Sequence, residues 1–112
     1  WDEELEKTMW FIREMTKIGG VQLLGEQPHR HHLLHFETPV FWEISQHNKR
    51  KGFFLADEMI KRGFVGLQRG MTKNIKLSLY GLSWDEVRKI RDAFHEIASK
   101  YVKEYKLDFN VP

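Results

Sequence analysis

Apolar residues return every three or four positions from the start of the chain. Leu5, Met9, Ile12 and Met15 form one stripe behind the acidic run Asp2, Glu3 and Glu4, which suits the positive end of a helix dipole, and Gly19-Gly20 supplies a stop. The spacing predicts a first helix running to about Lys17. Two short apolar runs follow, Val21 to Leu24 and Leu33 to Thr38, separated by Gly25, Pro28 and a His-rich stretch; they read as strands joined by a loop. Thr38 before Pro39 is a natural N-cap with Pro at the first helical position, predicting a short helix that carries Val40, Phe41 and Ile44 inward. The polar stretch Gln46 to Lys51 interrupts it, and Gly52 to Gly63 reads as a further amphipathic helix stopped by glycine. Phe64 to Leu67 and Asn74 to Tyr80 are strand candidates around a turn at Gly70, with Ile75, Leu77 and Leu79 alternating against Lys76 and Ser78. Ser83-Trp84-Asp85-Glu86 has the form of a capping box and opens a long helix, its stripe of Val87, Ile90, Phe94, Ile97, Ala98 and Tyr101 continuing to about Lys103. Asp108 to Pro112 reads as a frayed tail.

The order is α β β α α β β α without an internal repeat, which predicts an α+β fold: one domain over residues 1–112, with helices packed on a few-stranded, mostly antiparallel sheet. A length of 112 residues leaves room for a single two-layer core. Composition changes this picture in two ways. The aromatic content of 13% exceeds what a minimal core needs, so some rings are expected at an interface. The chain has no cysteine, which removes disulfides, thiolate nucleophiles and sulfur ligands, and no apolar run approaches the ~18 residues of a membrane span; the cytoplasm is the expected compartment. A start at Trp1, directly inside a helical pattern, is what a piece of a longer polypeptide would show.

The net charge of +2 is unevenly placed. Residues 1–30 carry six acids against four bases, residues 31–82 four against eight, and residues 83–112 six against six. The middle is therefore the basic part, and two clusters fall on its connections: Lys49, Arg50 and Lys51 between two helices, and Arg69 and Lys73 beside the Gly70 turn. His29, His31, His32 and His35 invite a metal site, but their spacing is loose and a loop with solvent-facing or hydrogen-bonded histidines accounts for them. No nucleophile elbow, P-loop, dinucleotide fingerprint or HExxH motif is present. Glu37, Glu43, Asp57 and Glu58 have no evident pairing and read as exposed carboxylates.

Four ordered segments carry a more specific signal: Leu-His-Phe-Glu-Thr-Pro ending at Pro39, Arg-Lys-Gly-Phe-Phe-Leu ending at Leu55, Gly-Leu-Gln-Arg-Gly-Met-Thr ending at Thr72, and the run from Lys76 to Trp84. Together, over about Gly20 to Tyr101, they closely resemble the C-terminal region of the O-phosphoseryl-tRNA:Cys-tRNA synthase family, archaeal enzymes that depend on pyridoxal 5′-phosphate. The resemblance implies a small C-terminal domain of a fold-type I enzyme, whose large domain holds the cofactor. It further implies a homodimeric transferase that replaces the phosphate of phosphoserine on tRNA(Cys) with sulfur. Phosphoseryl-tRNA synthetase and a scaffold protein are the implied further partners.

By the same resemblance, the Schiff-base lysine and the sulfur-carrying cysteines belong to a large domain that this chain lacks, so the chain alone is expected to be inactive and not to bind the cofactor. In the related cysteine desulfurases an Arg on the strand before the last helix grips a free substrate carboxylate; Lys76 takes that place here. An aminoacyl ester presents no such planar anion, so Lys76 meets a phosphate or sits in solvent. The expected tRNA-binding residues are Arg69, Lys73 and Lys76, with Lys49, Arg50 and Lys51 as a second set. A freestanding RNA- or protein-binding module is the competing reading.

Overall fold

A computed structural model describes residues 2–25 and 33–112. Helix α1 (Glu3–Met15) opens at Asp2, whose carboxylate accepts the backbone N–H groups of Glu4 and Leu5. Strands β1 (Gln22–Leu24) and β2 (Leu34–Glu37) pair antiparallel, and β3 (Asn74–Leu77) adds to the other edge of β2, also antiparallel, giving the order β1-β2-β3. Between β2 and β3 lie α2 (Pro39–His47), a 3₁₀ turn (Lys51–Phe53) and α3 (Phe54–Lys61). The long α4 (Trp84–Tyr105) closes the fold, starting at the expected reciprocal Ser83–Glu86 box. The α+β expectation is met.

The alternation in the strands decides which face meets the helices. Leu34, Phe36, Ile75 and Leu77 point inward and are buried, while His35, Glu37, Asn74 and Lys76 form the outward face. The inward residues meet Phe11 and Met15 of α1, Phe41 and Ile44 of α2 and the stripe of α4. Phe11 sits at the centre, edge-on to Phe36 at 6.0 Å and to Phe94 at 6.4 Å.

Several boundaries differ from expectation, each for a local reason. The helix expected from Gly52 begins with the 3₁₀ turn, where Gly52 lies so close to the Gly70 carbonyl that a Cβ there would be 3.0 Å from it. Residues 64–67 form no strand. Gly63, at φ +93°, lets its own N–H and that of Phe64 turn back to the carbonyls of Ile60 and Met59, so the start of this segment is consumed in ending α3. The last strand stops at Leu77, because Ser78 to Leu82 fold into a turn with Gly81 at φ +82°. The tail is not frayed: Asn110 accepts the N–H of Gly19 at 2.7 Å, and Phe109 and Val111 pack on the core. Among the aromatic rings, Phe11 is core and Trp10 packs edge-on with Trp84 at 5.8 Å, whereas Trp42 keeps 37% of its surface.

Candidate nucleic-acid interface

The site is built from a relay of buried hydroxyls. Thr38 was expected to cap α2, yet its hydroxyl makes no cap; it donates instead to the Thr72 carbonyl at 2.7 Å, and its N–H donates to the Lys73 carbonyl at 2.9 Å. Pro39 makes this diversion cheap, since it brings no N–H to the first turn of the helix. Thr72 donates to the Ser45 hydroxyl at 3.3 Å, and Ser45 donates to the Trp42 carbonyl at 2.5 Å. All three hydroxyl residues are buried, where an unmade bond would be costly, so the segment entering β3 is fixed against α2.

That anchoring places Lys73 over the exposed indole of Trp42, with Nζ 4.7 Å from the ring centre. Two recesses, of about 220 and 260 Å³, share Trp42, Lys73 and Asn74 as lining; Glu37 and Pro39 help to line the first, Gly70, Met71 and Thr72 the second. On the other flank of the turn Arg69 lies 5.4 Å over Phe53 and reaches Asp57 at 3.0 Å, an exposed pair that a phosphate can replace at little cost. His35 Nε2 and Asn74 Oδ1 are 3.0 Å apart; as the amide oxygen only accepts, the histidine donates and the Asn74 amide keeps its N–H donors. Lys76 is exposed on the same sheet face, paired in register with His35. Arg69, Lys73 and Lys76 thus share the Gly70 turn and the strand it feeds.

The second cationic set does not act as one. Arg50 turns inward to Glu58, at 2.6 Å, and to the Tyr101 hydroxyl, at 2.9 Å, while Lys49 and Lys51 remain exposed. An open groove of about 590 Å³ runs beside Lys49, Arg50 and Tyr101 and includes the acidic Glu104. Glu58 itself corrects the expectation of an exposed carboxylate: only 3% of its surface is accessible, and Arg62 and Tyr101 also bind it, at 2.8 and 3.0 Å. Burial alone would raise its pKa, but hydrogen bonds from Arg62, Arg50 and Tyr101 outweigh that and hold it at about 2. It joins α3, α4 and the turn after α2 and has no proton to offer at neutral pH. Sequence periodicity did place it on α3, with Arg62 four residues on, but Tyr101, which also binds it, is 43 residues away in the chain.

Among the described residues no group of three His, Cys, Asp or Glu side chains is arranged to hold a metal ion, and His29, His31 and His32 lie outside those residues. Nor does any helix there have the length and apolar content to cross a membrane. A cofactor aldehyde needs a desolvated, unpaired lysine. Lys7 is the buried one, and it is committed to Glu4 at 2.8 Å and the Leu82 carbonyl at 2.6 Å, so these residues do not fit pyridoxal phosphate.

Fold and surface together define an α+β chain in which Arg69, Lys73 and Lys76 and the exposed rings of Phe53 and Trp42 lie about one turn and the strand it feeds, with no buried catalytic set among the described residues. No family model matches the chain. It is homologous to a segment of the O-phospho-L-seryl-tRNA:Cys-tRNA synthases: 55% identical over 101 residues to synthase 2 of Archaeoglobus fulgidus, 50% over 101 residues to that of Methanopyrus kandleri and 50% over 97 residues to that of Methanocaldococcus jannaschii. These matches take in 87–90% of this chain but only 26% of each relative, so the chain spans about a quarter of their length. A chain in the crystal structure of a complex between SepCysS and the N-terminal domain of SepCysE superposes with a TM-score of 0.83 at 46% identity, over 90% of this chain and 27% of that one.

Proposed function

We propose that the chain is the small C-terminal domain of a pyridoxal-phosphate-dependent synthase that converts O-phosphoseryl-tRNA(Cys) to cysteinyl-tRNA(Cys) with a sulfur donor. The observation that carries this reading is the identity of 50–55% with such synthases across nearly the whole chain. Cofactor and sulfur chemistry belong to the rest of the enzyme; this domain has no cysteine, and its one buried lysine is engaged. Its own part is to help position the tRNA. Arg69 and Lys73 extend from the turn beside the strand bearing Lys76, where they meet phosphates without reading sequence. The domain also serves assembly, in a homodimer and with the phosphoseryl-tRNA synthetase and scaffold protein of the same pathway.

The test is the enzyme at the full length of its relatives. It should show the absorbance of a cofactor aldimine and form cysteinyl-tRNA from phosphoseryl-tRNA, and a full-length chain that does neither overturns the proposal. For the positioning role, the double variant Arg69→Ala/Lys73→Ala should weaken tRNA binding and flatten the log–log salt slope by up to about two units, at ~0.9 per phosphate contact. Unchanged affinity and slope, with the fold intact, would return both residues to a solvated turn.

A further inference from the structure

We infer that Trp42 is a stacking platform for an unpaired nucleobase of the RNA, with Lys73 taking the adjoining phosphate; this rests on the tRNA-binding reading above and names the side chain that receives a base. Four observations lead there. The indole is exposed at 37% on the solvent-facing side of α2, opposite the buried Val40, Phe41 and Ile44, and its backbone carbonyl is fixed by Ser45. Two recesses meet at the ring, each smaller than the ~300–1,000 Å³ of an enclosed small-molecule pocket, which suits a flat ring laid on an open surface. Polar residues line those recesses: Asn74 in both, Glu37 in the first and Thr72 of the Gly70 turn in the second. Finally, cation and ring alternate across the turn, Lys73 with Trp42 and Arg69 with Phe53, the combination by which proteins hold single strands.

Magnitudes favour exchange of the lysine for a base. An exposed ammonium on an indole is worth about 2- to 5-fold in an equilibrium constant, whereas a base stacked on an aromatic side chain is worth about 5- to 150-fold. Lys73 takes part in no ion pair among the described residues, so its ammonium is at liberty to swing from the ring to a phosphate while the ring accepts the base. The hydroxyl relay holds its backbone in place throughout.

The experiment measures tRNA binding by the full-length enzyme as a function of salt. Trp42→Ala should weaken binding about 5- to 150-fold, the equivalent of one stacked base, with the salt slope unchanged because no phosphate contact is lost. Trp42→Phe should recover most of the affinity and serves as the control for folding. With 5-fluorotryptophan incorporated, the ¹⁹F line missing from Trp42→Phe should shift when a short single-stranded oligonucleotide is added. Wild-type affinity in Trp42→Ala, or a silent ¹⁹F line, overturns the inference. So does a loss of binding that follows loss of the dimer, which would make this face a protein contact. If the Arg69/Lys73 double variant weakens tRNA binding while Trp42→Ala does not, only the stacking platform falls; if the double variant is also silent, the tRNA-positioning reading falls with it.

Discussion

Glu58 shows how much one side chain can join. Its carboxylate is bound by two guanidinium groups and a phenol from three parts of the chain, and its pKa is held at about 2, well below the ordinary 4.5. A depressed carboxyl pKa stabilises the fold fully above the unfolded value, and the contribution drains away as pH falls from about 4.5 through about 2. The shift corresponds to about 3 kcal/mol, at ~1.4 kcal/mol per pKa unit. Glu58→Gln should therefore lower stability at pH 7 by about 2–3 kcal/mol, leaving two arginines facing a neutral amide. Urea titrations at pH 7 and pH 3 decide the point: the gap between wild type and variant should shrink at the lower pH, and a constant gap would show that the carboxylate charge is not what matters.

Thr38 belongs to the scale of elements, because it fastens the start of α2 to the approach of β3. Its hydroxyl spans a separation of 34 residues to reach the Thr72 carbonyl, while Pro39 and the Thr38 carbonyl start the helix without help from the side chain. Thr38→Val keeps the shape and removes the donor. The expected cost is about 1–2 kcal/mol, read as a lower urea midpoint at unchanged m-value. The same variant should loosen Lys73 over Trp42, seen as a shift of the Trp42 resonance. At the opposite end of the fold Ser83 does cap, as its sequence foretold, and Ser83→Ala should cost about 1 kcal/mol in the same assay.

For the whole molecule, the tail matters more than its composition suggests. Phe109 and Val111 close the core beneath the α1–β1 connection, and Gly19 permits a backbone approach that any Cβ would block, lying 2.8 Å from the Asn110 nitrogen. Removing residues 108–112 should cost about 2 kcal/mol of buried apolar surface and hydrogen bonding and lower the Tm by roughly 10 °C. Thermal unfolding followed by circular dichroism would show it, and an unchanged Tm would mean the tail contributes only passing contacts.

The sequence alone determined what is decided within a few residues of the chain. The helical stripes, the acidic start of α1, the Ser83 cap, the alternation of β3 and the antiparallel α+β class follow from side-chain period and from groups three or four positions away. It also held the ordered segments shared with the synthases and the cations of the Gly70 turn. Tertiary structure decided whatever depends on residues far apart in sequence meeting in space. Thr38 left its cap for Thr72, and Arg50 left its basic run for Glu58 and, 51 residues away, Tyr101. In each case a polar group had a local option and a distant one, and burial made the distant bond the stronger claim, because inside the core an unsatisfied partner costs more than an uncapped helix end in water.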